Sequence, residues 1–504
     1  MTYNSFVFLL VFLPLSMIAY QLSPRKLRSK TLLLFSLVFY FLLSQRLIVY
    51  LILISLTTYL GALLIEKSEN KKHKQSILLV AILIPLGMLL WFKYYNFFTQ
   101  NLNILFNKSI FPFKKLIQPM GISFFTLQAI SYFVDVKNEK IQSEKNPLNI
   151  LLFLSFFPTM IEGPIARYDQ VMPALKEQAP IRYENLTFGL QRVLWGLIKK
   201  MVIADRIDPF VMTVFNHVDT YPGAILLAGI LLYTLQLYAE FSGTMDIVIG
   251  VAQIFNVTLP ENFNQPFLSK TVSEFWRRWH MTLGAFFKDY IFYPISLSKK
   301  TRKLSKKAKP LLGKYYARLI PSLIALFAVW LANGLWHGAQ WQYILYGMYY
   351  FILISLGMLF EPLIVKVFTK LKIDREHKSL NVLRWLRTFV LVNIGMMIFR
   401  SHGVRNAGLM LQRIFTDFQF TSLFDGTILG KGLDIYDFQL LLFGLILMIV
   451  VGILKEKGVK LRAKIASWRL PFRFAFYYSA LLFLIIFGAY GFGYAIVELI
   501  YANF

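Results

Sequence analysis

The feature that most constrains this chain is a set of apolar segments that recurs from one end of the sequence to the other. They occupy residues 5–20, 31–43, 47–65, 77–91, 150–161, 224–241, 319–331, 341–360, 388–399, 438–454 and 474–496. A helix needs roughly 20 apolar residues to cross a bilayer, and shorter runs require tilt, a thinner bilayer or burial in protein. The pattern predicts an all-α polytopic membrane protein with about eleven transmembrane helices.

Composition excludes several function classes. The formal net charge is +28, but most basic residues lie in short loops beside apolar runs, where topology and anionic lipid explain them. No soluble module remains to bind nucleic acid, so no nucleic-acid partner is expected. The chain has no cysteine, which excludes disulfides, thiolate nucleophiles and cysteine-ligated metals. Its six histidines form no metal-ligand motif, so no metal site is predicted.

The basic loops also predict orientation. Four basic residues in 25–30 follow the first apolar run, and no basic n-region precedes that run, so no cleavable signal peptide is expected. The positive-inside rule then places the N-terminus outside the cell membrane and the basic cluster 299–314 in the cytoplasm. Alternation of the later spans places the C-terminal tail, 497–504, outside as well. The cluster 299–314 is either a solvated topogenic loop or a receptor for an anionic cytoplasmic donor.

An unusual histidine lies between two apolar segments, in Leu331-Ala-Asn-Gly-Leu-Trp-His-Gly338. Ionisable groups at membrane depth are costly and persist mainly where they face a polar cavity or perform chemistry. Gly334 and Gly338 allow backbone or ligand to approach His337 closely. The same pattern also fits an interfacial turn with Trp336 at the headgroup level.

A second block, Val272-Ser-Glu-Phe-Trp-Arg-Arg-Trp-His-Met-Thr-Leu283, is poor lipid-facing material. On a helix, Glu274 and Arg278 are four residues apart and can pair, and Trp276 would stack one turn before His280. Together with Arg277, these side chains predict either a surface-lying amphipathic helix or the lining of a polar pocket.

Two further segments carry polar groups in apolar surroundings. Residues 156–168 interrupt a span with two prolines and Gly163, and contain Glu162. Broken backbone at membrane depth is tolerated only where protein buries it or a cavity hydrates it. Residues 238–246 contain Glu240 and Asp246. These acids either satisfy an arginine or backbone groups in the core, or take part directly in catalysis.

Three of these blocks resemble the signature blocks of the membrane-bound O-acyltransferase (MBOAT) family. They are Phe157-Pro…Glu162-Gly-Pro-Ile-Ala-Arg167, Phe275-Trp-Arg-Arg-Trp-His280 and Asn333-Gly-Leu-Trp-His-Gly338, and they occur in the family's order. The resemblance is to the bacterial polymer-acylating branch and covers residues 5–504. It implies one integral membrane domain, 1–504, with a ring of helices, re-entrant or interfacial helices, and cytoplasmic and extracellular funnels joined by a tunnel.

The resemblance also implies a site. His337 would be the catalytic histidine, and His280 the second polar position of the family. A neutral imidazole could take a proton from an attacking hydroxyl, general-base work worth roughly 10²–10⁴-fold, and burial keeps the imidazole neutral. His280 or Asn333 could orient the donor or polarise its carbonyl. The other candidates for the tunnel and substrate site are Trp336, Glu162, Glu240, Arg277 and Arg278.

The C-terminal tail resembles the family's Phe-x-Tyr-Phe-x-Phe motif only in part. Tyr501 and Phe504 match, whereas Leu499 and Ala502 replace two aromatic residues. Tyr501 is therefore a candidate acyl relay or an interfacial aromatic anchor. No outer loop is long enough for a soluble catalytic domain, and no nucleophile-elbow sequence occurs. The resemblance implies an extracytoplasmic SGNH-type partner that completes transfer.

The resulting hypothesis is an acetyltransferase that uses acetyl-CoA, or another acyl thioester, as a donor substrate without a permanently bound cofactor. A surface or cell-wall polysaccharide would be the final acceptor, and membrane lipid the surrounding partner. The nearest alternative is D-alanyl transfer to teichoic acid from a carrier protein. A transporter or flippase would also explain broken helices and buried acids, but it predicts inverted repeats, which the sequence does not show. Nothing in the outer loops suggests a dedicated lipid acceptor site.

Overall fold

The computed structural model describes residues 2–490, and most of this range is helical. Within it, extended pairing is limited to an isolated antiparallel bridge between Phe263 and Trp279. The all-α polytopic class predicted from the apolar pattern is therefore confirmed.

The α-helices that precede the long central helix are α1 (Leu13–Leu22), α2 (Arg28–Ser44), α3 (Ile48–Lys67), α4 (Lys71–Leu89), α5 (Tyr95–Phe106), α6 (Ile122–Lys137), α7 (Pro147–Ser155), α8 (Tyr168–Glu177), α9 (Tyr183–Leu197) and α10 (Asp205–Asn216). The remainder are α11 (Gly223–Ile254), α12 (Val272–Arg278), α13 (Met281–Phe287), α14 (Tyr293–Ser296), α15 (Lys299–His337), α16 (Trp341–Lys370), α17 (Lys378–Arg400), α18 (Val404–Thr416), α19 (Ile435–Glu456), α20 (Leu461–Ala466) and α21 (Leu470–Phe487).

Irregular turns are inserted between several of these helices. Single π-helical turns lie at Val7–Phe12, Leu90–Tyr94, Ile198–Ala204 and Lys288–Phe292. Short 3₁₀ turns lie at Arg25–Leu27, Gln45–Leu47, Pro266–Leu268 and Phe420–Leu423. The turn between α2 and α3 contains Gln45 at φ 45°, so the apolar stretch 25–67 is two helices, which correspond to the separate apolar runs 31–43 and 47–65.

Eight helical stretches in the described residues are long and apolar enough to cross a membrane. They are Arg25–Lys67, Lys71–Phe106, Gly223–Ile254, Lys299–His337, Trp341–Lys370, Lys378–Arg400, Ile435–Glu456 and Leu470–Phe487. The first apolar run corresponds to the shorter helical stretch Val7–Leu22. These elements account for every predicted span except 150–161.

The predicted span at 150–161 is wrong. Its helix, α7, is Pro147–Ser155 and has only nine residues, about 14 Å at 1.5 Å per residue. Residues 156–167 then run without regular helix and are fully buried in protein. Burial explains why an apolar segment with two prolines and a glycine persists here, since irregular backbone is tolerated only away from lipid.

The predicted turn at 333–340 is also shorter than expected. Helix α15 continues through Asn333 and ends at His337, and only residues 338–340 separate it from α16. The same helix has a break at Gly313, where φ is 76°, so its basic N-terminal part and its apolar part are separate helical segments. His337 is consequently a helix-terminal residue rather than a loop residue.

The chain forms two compact units. The first comprises 1–201, 240–261 and 460–504, and the second comprises 202–239 and 262–459. In the first unit α3 packs on α4, α6 and α7. Helix α6, which the sequence analysis missed, is buried over most of its length. Its Ser, Thr and Gln residues dilute its apolar signal.

Glycines allow close helix packing within the first unit. A Cβ at Gly189 would lie 2.6 Å from the carbonyl oxygen of Gly250, and one at Gly196 would lie 2.5 Å from that of Gly243. The glycines on each helix are seven residues apart, so two successive contacts lie on one face. Small residues at such crossings let helix backbones approach in membrane proteins.

In the second unit, α15 and α16 form an antiparallel hairpin, α16 packs on α17, and α12 contacts both α16 and α17. A Cβ at Gly334 would collide with the carbonyl oxygen of Tyr343, and one at Gly347 with that of Trp330. Gly334, three residues before His337, therefore serves a helix crossing with α16. This crossing holds the end of α15 in a defined place.

Candidate active site

His337 lies at the last residue of α15 and is only 4% exposed. Its ring packs edge-to-face against Trp336, Tyr346 and Phe399, with centroid separations of 5.0, 5.7 and 5.0 Å. Three helices supply these rings, because Tyr346 belongs to α16 and Phe399 to α17. The imidazole is thus held in an aromatic enclosure rather than in a hydrated surface turn, and the interfacial-turn hypothesis is wrong.

His280 has an unusual backbone. It lies between α12 and α13 with φ 46° and ψ 52°, and it is 3% exposed. A non-glycine residue in this left-handed region costs on the order of 1–3 kcal/mol and persists only where its surroundings hold it. The Met281 amide, which donates to the Asn262 carbonyl over 2.9 Å, is one contact that does so.

The Asn262 side chain sets the tautomer of His280. Asn262 Oδ1 accepts from the Thr282 amide at 3.1 Å, from the Thr282 hydroxyl at 2.9 Å and from His280 Nδ1 at 3.1 Å. A backbone amide can only donate, so this Asn262 atom is the oxygen and His280 Nδ1 carries the proton. In the neutral ring the lone pair is then on Nε2.

Burial lowers the pKa of His280 from 6.5 to about 3. Desolvation penalises the charged imidazolium, so the ring is neutral throughout the physiological range. A neutral ring protonated at Nδ1 accepts hydrogen bonds or protons at Nε2. It cannot donate from that nitrogen, which changes the expectation that His280 polarises a carbonyl.

One indole ring lies against both histidines. The Trp336 ring is 5.6 Å from the His280 ring and 5.0 Å from the His337 ring, centroid to centroid. The structure thus brings together two of the sequence blocks that are more than 50 positions apart. Asn333 lies one turn before His337 on α15 and is 7% exposed, and its Oδ1 has no hydrogen-bond partner among the described residues.

The rest of the 272–283 block has a structural role. Arg278 pairs with Glu274 at 3.0 Å, as its i,i+4 spacing predicted, and with Glu456 at 3.0 Å. Arg277 is exposed. The predicted stacking of Trp276 on His280 is wrong, since α12 ends at Arg278 and Trp276 packs on Trp330 and Tyr350 instead. The block therefore ends in a buried left-handed turn, not in a continuous surface helix.

Glu162 and Glu240 lie in the first unit, where they form a buried cluster with Lys200. Lys200 Nζ is 3.4 Å from Glu240 Oε1, and the two side chains are 0% and 1% exposed. Neither carboxylate oxygen of Glu162 has a hydrogen-bond partner among the described residues. Burial first, and then the charge of Glu240, raise the pKa of Glu162 well above its ordinary value, although Lys200 opposes the shift. Burial therefore disfavours the charged form of Glu162.

Asp246 belongs to a neighbouring network of the same unit. It accepts from Arg192 Nε at 2.8 Å and pairs with Lys199 at 2.7 Å, while Arg192 also holds Glu261 with both terminal nitrogens. This arrangement supports the structural interpretation of Asp246, because its carboxylate satisfies two buried cations.

The sequence did not point to several residues of the site, namely Asn262, Thr282, Tyr346, Phe399 and Lys200. No metal-ligand or catalytic motif marks them, although the polar run 260–264 between apolar segments is a signal that could have flagged Asn262. The predicted acyl relay Tyr501 lies outside the described residues. Across residues 2–490, no cluster of three or more His, Cys, Asp or Glu side chains could hold a metal ion.

Comparison with known proteins agrees with the three sequence blocks. Residues 70–400 match the family model of MBOAT, the membrane-bound O-acyltransferase family. The chain is 32% identical to a peptidoglycan O-acetyltransferase of Helicobacter pylori, over 80% of this chain and 78% of the relative. It is 31% identical to a probable alginate O-acetylase of Azotobacter vinelandii, over 82% and 78%.

A more partial match is to a teichoic acid D-alanyltransferase of Bacillus subtilis, 29% identical over 57% of this chain and 70% of the relative. All of these proteins are named as acyl-transferring enzymes, which removes the transporter alternative. With its apolar helices, the chain is a multi-pass membrane acyltransferase that belongs to the membrane-bound O-acyltransferase family.

Proposed function

We propose that this protein moves an acetyl group from a cytoplasmic thioester, acetyl-CoA, to the outer side of the membrane for O-acetylation of a surface or cell-wall polysaccharide. The observation that carries the proposal is the pair of buried imidazoles, His280 and His337, which both pack against the Trp336 ring. The polymer-acetylating relatives support the acetyl donor, because they match four-fifths of the chain.

The chemistry assigned to His337 starts from a buried imidazole in its neutral form. An acceptor hydroxyl oxygen attacks the thioester carbonyl while the imidazole of His337 takes the hydroxyl proton. The tetrahedral intermediate then collapses, the carbon–sulfur bond breaks, and the thiolate leaves and takes the proton back from the imidazolium. Such general-base work contributes about 10²–10⁴-fold. Rigid packing between Tyr346 and Phe399 limits the imidazole to few orientations, which favours a fixed attack geometry.

His280 is assigned a different part. Its Nε2 is an acceptor in the tautomer that Asn262 selects, so it orients or deprotonates a hydroxyl. The amide nitrogen of Asn333 can donate a hydrogen bond, which suits it to polarise the thioester carbonyl. In this assignment the two histidines act on the acceptor hydroxyl, and Asn333 binds the carbonyl of the thioester donor.

The remaining steps rest on the resemblance of the C-terminus. The phenolic oxygen of Tyr501 would receive the acetyl group first and form a tyrosyl ester. A polymer hydroxyl would then displace the tyrosyl oxygen with the help of an extracytoplasmic SGNH-type partner. Extracytoplasmic placement of both termini is part of this proposal, as is the cytoplasmic position of 299–314.

A second candidate is D-alanyl transfer to teichoic acid from a carrier protein. It is favoured by the match to the Bacillus subtilis enzyme and would use the same histidines. The two candidates differ in the donor and in the released acyl group, so one experiment separates them.

The test measures ester-linked acyl groups on surface polymers, by mass spectrometry after mild base release, at matched membrane abundance. Wild-type cells are compared with His337→Ala, with Tyr501→Phe and with His73→Ala, an exposed histidine that serves as the control. The proposal expects acetate to disappear in the first two variants and to persist in the control. Release of D-alanine in place of acetate would establish the second candidate, and unchanged esters in His337→Ala would overturn the catalytic assignment.

A further inference from the structure

Two adjoining cavities in the second unit are lined almost wholly by apolar side chains. The larger, of about 530 Å³, is bounded by α11, α17, α19 and the turn Pro266–Leu268. The smaller, of about 170 Å³, continues along α11 and α17 to α18. Both cavities are lined by Leu231 and Phe389, so they form one elongated hollow, which we term the α11–α17 slot.

Three polar side chains of the slot, those of Thr234, Asn393 and Trp385, form hydrogen bonds within its wall. Thr234 donates to Asn393 Oδ1 at 2.7 Å, and Asn393 donates to the Phe389 carbonyl at 2.8 Å. The indole nitrogen of Trp385 donates to the Phe267 carbonyl at 2.7 Å. An occupant therefore meets mainly hydrocarbon and aromatic surface, which suits an alkyl chain better than a sugar or a nucleotide.

The length of the slot matches one leaflet. Its lining on α17 runs from Trp385 to Met397, which are 12 positions apart, or about 18 Å along the helix. Half of the hydrocarbon core of a bilayer is about 15 Å. Helices α11, α17 and α19 are all candidate membrane spans, and lining residues such as Ile449 and Leu231 are half-exposed, so lipid can enter from the side.

Basic residues gather at one end of the slot. Arg387 donates to the Lys270 carbonyl at 3.3 Å, and both side chains are exposed beside Trp385 and the Pro266–Leu268 turn. Arg278 at the same end is already neutralised by Glu274 and Glu456. Each basic residue near a membrane surface attracts anionic lipid by roughly 1 kcal/mol, or about fivefold in affinity.

We propose that the α11–α17 slot binds one anionic phospholipid, with an acyl chain between α11, α17 and α19 and the phosphate beside Lys270 and Arg387. The site is separate from the histidines and does not depend on the proposed acetyl transfer. A tryptophan with basic neighbours is the usual membrane-interface arrangement, and the apolar slot extends from it. The lipid would fill a hollow that otherwise weakens packing between three spans.

The test is native mass spectrometry of the full-length protein, purified in detergent and supplied with phosphatidylglycerol or phosphatidylcholine. Leu235→Trp fills the slot, whereas Leu442→Trp adds the same bulk to an exposed position on α19 outside it. We expect wild type and Leu442→Trp to retain one phosphatidylglycerol in preference to phosphatidylcholine. Leu235→Trp should lower that occupancy about tenfold, and Lys270→Gln with Arg387→Gln should abolish the preference.

Retention of the lipid by Leu235→Trp, or equal retention of both headgroups by wild type, would overturn the proposal. A second measurement tests the site without relying on the folding of Leu235→Trp. Brominated phosphatidylglycerol should quench the fluorescence of wild type more than that of Trp385→Phe. Equal quenching in the two proteins would place the lipid elsewhere and refute the site.

Discussion

Lys200 is fully buried beside Glu240 and within electrostatic reach of Glu162, and replacing it tests how the first unit tolerates charge. Lys200→Met keeps the length and apolar stem of the side chain but removes its ammonium group. The carboxylate of Glu240 would then lose a cation 3.4 Å away in a site that water does not reach. Breaking a buried pair in this way costs about 3–5 kcal/mol, because the remaining charge stays desolvated.

That cost corresponds to roughly two to four orders of magnitude in the ratio of folded to unfolded protein. The assay is the fraction of detergent-purified protein that stays monodisperse after heating, measured by size-exclusion chromatography across a temperature series. Lys72→Met, at an exposed position on α4, is the matched control and should stay within about 0.5 kcal/mol of wild type.

Two further variants isolate the electrostatic cause. Lys200→Met combined with Glu240→Met removes both charges, so most of the lost stability should return. Glu162→Gln alone takes no cation from Glu240 and should cost less than Lys200→Met, because burial raises the pKa of Glu162 and disfavours its charged form. A buried-charge cost is contradicted if Lys200→Met is as stable to heating as Lys72→Met, or if the double variant is no more stable than Lys200→Met.

Three further predictions concern the second unit. Gly347→Ala should destabilise by about 1–3 kcal/mol in the same heating assay, because its Cβ meets the Trp330 carbonyl, whereas Gly357→Ala on the same helix has open space and should lose nothing. The pKa of His280 falls from 6.5 to about 3, so below pH 6.5 the unfolded state binds a proton that the native state does not, and stability drops as pH falls. By pH 5 the loss of stability amounts to about 2 kcal/mol. Denaturation at pH 5 and at pH 7.5 should show this loss in wild type but not in His280→Asn. An equal pH dependence of the two proteins would contradict the prediction. Asn262→Ala should lower kcat about tenfold or more through loss of the His280 tautomer, with partial recovery in Asn262→Asp, and a change confined to protein yield would contradict the positioning role.

The membrane class and the family could be predicted from the sequence because both rest on local information. Long apolar runs specify spans without reference to the rest of the chain. The blocks around Glu162, His280 and His337 are recognisable as strings of residues. Arg278 and Glu274 paired as expected, because helical spacing alone brings them together.

The errors arose where distant segments decide the outcome. Residues 150–161 have the composition of a span, yet a nine-residue helix and a buried irregular segment replace it. Trp276 was expected on His280, but a left-handed turn ends the helix between them, and Trp276 packs on α15 and α16. Local periodicity has no information about such breaks.

Residue identity and hydropathy are local properties, and they are enough to show that this chain spans a membrane, belongs to an acyltransferase family and carries two notable histidines. The packing of distant segments adds that one tryptophan ring lies against both histidines, and that Asn262 sets the tautomer of His280. It also shows that Gly334 serves a helix crossing. These features depend on contacts between residues far apart in the chain, and such contacts exist only after the helices have packed.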